Sequence, residues 1–472
     1  MNSVWQRLTL SDLPISQWRV ASYFYRLVGV LGQWRKGSWL LQWADSLGAV
    51  LVSLVLVLAP FVSNPLIGVL LVAAGAYWVL LTLSENGKPG ITPIHLLVLL
   101  YWGIAAVAVA FSPVKAQAFS GWLKLTLYLL MFALSARVLR SPRLTSWITT
   151  IFLLVALVVS IYGVRQQFFG AEQLATWNDP TAPFADDPRV YSYLGNPNLL
   201  ASYLLPAIAL SAAAIFAWQG WLPKALAATM FIVNSACLYF TDSRGGWIGM
   251  VFLIAAFLLL LYVWFRNRFS PFWRIWLLPI VFGTLAALLF VAFLFVEPLR
   301  FRVLSIFAGR QDSSNNVRLN VWLAAIDMIR DRPIIGIGPG NEAFNRIYPL
   351  YMRTRYSALS AYSVFLDTAV ETGLIGLSCL FWLIAVTVDR GVSQIRRLRA
   401  KGDPQGFWLI GAIAGMVGIL AHGAVDTVFH RPEVNTLWWL MVAIIAGKLA
   451  AETEDGAGEV KEVEEEYEGI KG

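Results

Sequence analysis

About twelve blocks of roughly 20 apolar residues follow one another along this chain, at 46–63, 65–84, 92–112, 116–139, 144–165, 198–218, 222–241, 245–265, 275–296, 363–388, 406–427 and 435–451. At ~1.5 Å per residue, each is long enough to cross the ~30 Å hydrocarbon layer of a bilayer. Lipid offers no partner to a bare amide, so each crossing segment must be a helix that satisfies its own backbone. The expected fold is all-α: a polytopic membrane protein of about twelve transmembrane helices. Composition agrees, since 58% of residues are hydrophobic and only 14% charged, against ~25% charged in soluble domains. Cys237 and Cys379 both lie inside apolar blocks and read as small core residues, not a disulfide.

Charge sets the expected orientation. One set of loops carries Arg137, Arg140 and Arg143, then Arg266, Arg268 and Arg274, then Arg390, Arg396, Arg397, Arg399 and Lys401. The positive-inside rule puts these in the cytoplasm. Residues 1–45 fall on the same side, with Trp5, Trp18, Tyr23, Phe24, Tyr25 and Trp34 among Arg7, Arg19, Arg26, Arg35 and Lys36. That mixture suits an arm lying in the inner headgroup region. It lacks a short apolar core before a small-residue cleavage site, so no removed signal peptide is expected. Residues 452–472 are rich in glutamate and are expected to be a disordered cytoplasmic tail. The net charge of +8 reflects topology and lipid phosphates and implies no nucleic acid. No internal repeat is evident, which argues against an inverted-repeat transporter.

The segments 166–197, 242–244, 297–362 and 428–434 are then external. The longest holds nine arginines against five carboxylates, a net of +4 where positive charge is normally avoided. Its middle, 318–332, reads as an amphipathic helix with Val321, Trp322, Ala325, Ile326 and Ile329 on one face and Pro333 at its end. A helical cap over the external face is expected. The run Gly336 to Asn341 could offer backbone amides to a phosphate, or be a turn after the helix. A basic external surface suits an amphiphile with an anionic head, because arginine binds phosphate oxygens bidentately. The same arginines could also snorkel to lipid headgroups. Asn196 is placed to cap the helix that follows, with Pro197 in its first turn.

Ionisable residues within or beside the spans form a second candidate polar site: Lys124, Asp367, Glu371, His422 and Asp426. Lys124 is the deepest cation, and a pair with Glu371 is one arrangement open to it. Glu371 could equally pair with an arginine. His95, near an internal helix start, reads as interfacial.

Several short motifs, taken in order, resemble the O-antigen ligase and polymerase superfamily of membrane proteins. They are Arg189 with Gly195-Asn196-Pro197-Asn198, Ser243-Arg244-Gly245, Arg318 with Trp322, Arg332-Pro333, Gly336 to Asn341, and Glu371-Thr372-Gly373-Leu374-Ile375-Gly376. They span roughly 140–390. Within the superfamily the chain is most similar to the cyanobacterial IctB group, named for a proposed role in inorganic carbon accumulation. Leu359-Ser360-Ala361-Tyr362-Ser363, Ala421-His422-Gly423-Ala424-Val425-Asp426-Thr427, and Arg431-Pro432 with Trp438-Trp439 carry that likeness.

The resemblance implies a bacterial inner-membrane protein, and the charge pattern puts both termini in the cytoplasm. It implies transfer of a glycan from a polyprenyl diphosphate to an acceptor on the external side, with no cofactor, metal or nucleotide. Arg189, Arg244 and Arg318 would hold the diphosphate. The ligase pattern has a histidine base where this chain has Tyr362, a poor proton acceptor near its ordinary pKa of ~10. Glu371 is the substitute in reach. The alternative that the IctB likeness carries is bicarbonate transport, or an accessory role in carbon uptake.

Overall fold

The computed structural model describes residues 2–10, 28–85, 90–172, 174, 189–353, 356–427 and 429–471. Trp18, Tyr23, Phe24, Tyr25, Arg19, Arg26 and Arg355 lie outside them. The fold is all-α. After short helical turns at Asn2–Leu8, Gly32–Gly37 and Trp39–Gln42, the longer described helices before the cap are α1 (Ala44–Leu58), α2 (Asn64–Ser84), α3 (Pro93–Ala110), α4 (Lys115–Val138), α5 (Pro142–Phe169), α6 (Pro197–Ala217), α7 (Trp221–Phe240), α8 (Arg244–Phe265) and α9 (Pro271–Phe295). The cap contains α10 (Glu297–Phe307), α11 (Ser313–Asp331) and α12 (Asn341–Ile347). Then come α13 (Val364–Lys401), α14 (Gly406–Gly423) and α15 (Pro432–Lys471).

Eleven described helices are long and apolar enough to cross a membrane, and α1, at 15 residues, is the shorter twelfth block. The bundle is layered about α6, α14 and α15, the helices with most of their surface buried. Glycine allows their close approach: an ideal Cβ on Gly249 of α8 would lie 2.7 Å from the Gly418 carbonyl of α14. Small residues at such crossings favour helix association where lipid supplies no hydrophobic drive. No residue of α9 is fully buried.

Contacts sort the loops onto two faces. On one, Arg137 of α4 pairs with Glu85 at 2.8 Å and Asp45 at 3.6 Å. There too Arg399 donates to the Val263 carbonyl at 2.6 Å, and the Trp5 indole donates to Asp389 at 3.0 Å. On the other, the segments around 189, 242, 302–318, 360 and 426 meet beneath the cap.

α15 runs on through the acidic stretch after Ala451 to Lys471. Two expectations need correction. The stretch from Arg390 to Lys401 is not a loop but the continuation of α13. In α11 the buried face is Val321, Ala324, Ala325 and Met328, while Trp322, Ile326 and Ile329 flank it. The hairpin of α6 and α7 and the cap of α6 stand as expected: Asn196 Oδ1 accepts from Asn198 N at 2.8 Å and Leu199 N at 3.2 Å. Both cysteines are free and buried.

The apolar block at 363–388 is not one straight span. Gly373 has φ +68° and ψ −174°, which breaks α13 within the Glu371-Thr372-Gly373 motif. The carbonyls freed by the break accept from the glycine run: Ile337 N donates to Val370 O and Gly338 N to Glu371 O, both at 2.9 Å. Leu374 N donates back to Pro333 O at 2.7 Å. Irregular backbone at membrane depth is tolerated where protein covers it, and here the cap covers it. On its far side the run sits against α4, where Gly340 meets Gly121 backbone to backbone.

Candidate functional site

Arg189 lies just before α6. Its Nε donates to the Thr241 carbonyl at 3.0 Å and its Nη2 to Asn198 Oδ1 at 3.2 Å. Thr241, Asp242 and Ser243 form the three-residue corner between α7 and α8, and Asp242 takes a left-handed φ of +52°. That corner accepts Arg302 of α10, which pairs with the Asp242 carboxylate and donates to its carbonyl at 3.1 Å. Burial, then the charge of Arg302, pulls the Arg189 guanidinium down to about 10; Asp242 opposes this, and Arg244 and Arg318 add to it. The guanidiniums of Arg302, Arg244 and Arg318 are thus all close enough to act on Arg189. Burial also raises Asp242 above the usual carboxylate range, against the pull of Arg302, Arg189 and Arg244.

Arg244 is the first residue of α8. Its fork reaches Asp312 Oδ1 at 3.0 Å, the Ser305 carbonyl at 3.2 Å and Asn315 Oδ1 at 3.3 Å. Asp312 is itself the N-cap of α11, accepting from Asn315 N at 2.8 Å. Arg244 therefore ties the cap to the bundle. Arg318, one turn into α11, is held more loosely. Its Nη1 donates to Ser314 Oγ at 3.2 Å, and its Nη2 stands 3.7 Å from Asp426. Arg189, Arg244 and Arg318, far apart in sequence, are brought to one cluster.

His422 of α14 is fully buried. Its Nδ1 is 3.0 Å from Ser202 Oγ, and its Nε2 is 3.9 Å from Asp426. His422 and Asp426 thus lie behind Arg318. Tyr362 joins the cluster from the other side, with its phenol raised above the ordinary value by burial and by Asp426, against Arg318. Its backbone has φ +48°, rare for a bulky residue. Trp322 Nε1 donates to its carbonyl at 3.3 Å, which helps hold that conformation.

Asp367 connects Tyr362 to a second group. Its Oδ1 accepts from Ala361 N at 2.7 Å, and its Oδ2 is 3.5 Å from His430 Nε2. The same nitrogen is 3.8 Å from Glu371 Oε1. Burial disfavours the charged ring, but the close approach of Asp367 and the charges of Asp367 and Glu371 outweigh it, raising His430 to about 9. Glu371 thus pairs with a histidine, not with an arginine and not with Lys124. Lys124 instead meets Glu342 of α12 at 2.6 Å, with more than half its side chain exposed. His95 belongs to neither group: it completes the capping box of α3 with Thr92.

Sequence reasoning passed over His430, Arg302, Asp242 and Asp312. Rarity was the available signal for His430, one of three histidines in the chain. Beside the break in α13 lies a groove of about 640 Å³ lined by Leu96, Leu99, Leu100, Gly103, Ile104 and Val107 of α3, with Ile334, Ile335, Thr372 and Ile375 opposite. Apart from Thr372 its lining is apolar. Among the described residues, no group of three or more His, Cys, Asp or Glu is arranged to hold a metal ion.

Residues 225–381 match the family model for O-antigen ligase. The match covers about a third of the 472 residues, and includes Arg244, Arg318, the whole cap and the Glu371 break. It supports likeness to the O-antigen ligase superfamily over that region. No curated protein matches the chain.

Proposed function

We propose that this protein binds a polyprenyl-diphosphate-linked glycan beneath the cap and transfers the glycan to an acceptor hydroxyl. It would do so in a bacterial inner membrane, with the cap face outside and both termini in the cytoplasm. The observation that carries this reading is the convergence of Arg189, Arg244, Arg302 and Arg318. Three carboxylates, Asp242, Asp312 and Asp426, stand among four guanidiniums, so one positive charge is left over. Arg318 has the loosest partner, and its Nε donates to nothing among the described residues. A diphosphate oxygen would engage it with a shorter, charge-assisted bond than Asp426 does. The apolar groove beside Glu371 suits an isoprenoid tail. The lipid bilayer itself is the protein's other partner.

Tyr362 is no base in this reading, because its phenol holds its proton more tightly than usual. Its role is to hydrogen-bond a phosphate or a sugar hydroxyl. Glu371 is the group left to accept a proton.

The likeness to the IctB group would put bicarbonate at the same arginines. Binding of polyprenyl diphosphate to the purified protein in lipid, with bicarbonate as competitor, tests both. Tight binding that is lost in Arg318→Ala and indifferent to millimolar bicarbonate is expected. Binding unchanged by Arg318→Ala would sink the diphosphate reading, and saturable bicarbonate binding that excludes the lipid would replace it.

A further inference from the structure

Three side chains from two distant stretches of sequence meet at the break in α13: Asp367 and Glu371 on the helix itself, and His430 on the segment between α14 and α15. None of the three facing atoms, Asp367 Oδ2, Glu371 Oε1 and His430 Nε2, has a hydrogen-bond partner among the described residues. They stand 3.5 and 3.8 Å apart about the single imidazole nitrogen. Buried polar atoms are seldom left unmatched without a purpose, since each costs ~1–3 kcal/mol when unsatisfied. The side chains of His430 and Glu371 are 20% and 13% exposed, while the three facing atoms themselves are buried. Thr372 and Ile375, which flank the break, line the apolar groove. Asp367 holds Ala361 N and so fixes the loop that carries Tyr362.

We infer that Glu371 is the proton acceptor for the attacking hydroxyl and that His430, itself oriented by Asp367, is the residue that positions Glu371. This rests on the lipid-linked glycan reading and supplies its acid–base half, at a place other than residue 362. In the step, the acceptor oxygen forms a bond to the anomeric carbon. The bond from that carbon to the phosphate oxygen breaks, and its electron pair leaves on the polyprenyl diphosphate, where the arginines receive the charge. The hydroxyl proton passes to Glu371 and then to water.

The charged and titratable groups around His430 are consistent with this role. Asp367 and Glu371 face it from α13, and Lys124 of α4 acts on it weakly from further off. Tyr101 of α3 is close enough to Glu371 to feel its charge. A protonated His430 favours the ionised carboxylate beside it.

The test uses full-length protein in proteoliposomes with polyprenyl-diphosphate N-acetylglucosamine, and measures release of free polyprenyl diphosphate against pH. Binding of polyprenyl diphosphate is measured separately, and reports that each variant is folded. Glu371→Gln should bind normally and release ~10²-fold more slowly or worse. His430→Gln should bind normally and lose kcat at least about tenfold with KM little changed, and the acidic limb of its pH profile should move to higher pH. Asp367→Asn should move the limb less. Wild type that binds but does not turn over, or a His430→Gln profile that overlays wild type, would overturn the inference and leave the binding site standing. Wild type that does not bind would overturn both.

Discussion

The Arg318 guanidinium lies 3.7 Å from the Asp426 carboxylate, too far for the ~2.7–2.9 Å of a strong charge-assisted hydrogen bond. An anion arriving at Arg318 therefore displaces little. Removing the competing charge by Asp426→Asn should tighten binding of inorganic pyrophosphate by about fivefold, on the order of 1 kcal/mol for a partly exposed charge. Arg318→Ala should weaken it by more than about tenfold. Calorimetry at two salt concentrations checks both, since screening should shrink the difference.

Arg244 reaches three acceptors on the cap at once, Asp312, Asn315 and the Ser305 carbonyl. A lysine offers one ammonium and cannot span that set. Arg244→Ala and Arg244→Lys should both loosen the cap, at a cost of about 1–3 kcal/mol. Limited proteolysis read at the Ala308 to Asp312 turn should accelerate in both. An Arg244→Lys protein cleaved no faster than wild type would show that a single charge suffices.

Gly373 has no tolerated substitute. Its φ is +68°, and an ideal Cβ there would lie 2.1 Å from the Ile334 carbonyl oxygen. Gly373→Ala should destabilise by about 2–5 kcal/mol, from the left-handed backbone and the clash together. Gly283, in α9, has no atom within 4 Å of where a Cβ would sit, and Gly283→Ala should be neutral or slightly stabilising. Thermal unfolding in detergent compares the two.

His430 links stability to pH. A histidine whose folded pKa is raised stabilises fully below its unfolded value of ~6.5, and that contribution is lost as pH rises through about 9. The Tm should therefore fall between pH 6.5 and 9 more steeply in wild type than in His430→Gln. Parallel curves would show that His430 is not charged in the folded protein.

The helices themselves were legible because the signal for each is local. Apolar length alone places α2 to α9, and Asn196-Pro197 marks the start of α6 through its own side chain and ring. Arg189, Arg244 and Arg318 stood out through the short motifs that resemble the O-antigen ligase superfamily. The break in α13 was not legible: Glu371-Thr372-Gly373 sits inside an unbroken apolar block, and only the backbone of 333–338 lying against it gives the freed carbonyls their donors. The pairing of Lys124 was misread for a related reason. Helical depth suggested an intramembrane partner, whereas the cap descends and brings Glu342 to it.

The sequence by itself determined that the chain crosses a membrane many times and carries a basic amphipathic segment between two spans, because hydrophobic length and helical periodicity are properties of neighbouring residues. Tertiary structure alone decided which charges meet. Arg189, Asp242, Arg302 and Asp426 come together only when four loops close over one end of the bundle, and His430 gains its meaning from carboxylates some 60 residues earlier in the chain. A charge has no preferred partner until the fold has chosen its neighbours and excluded the water that would otherwise screen it.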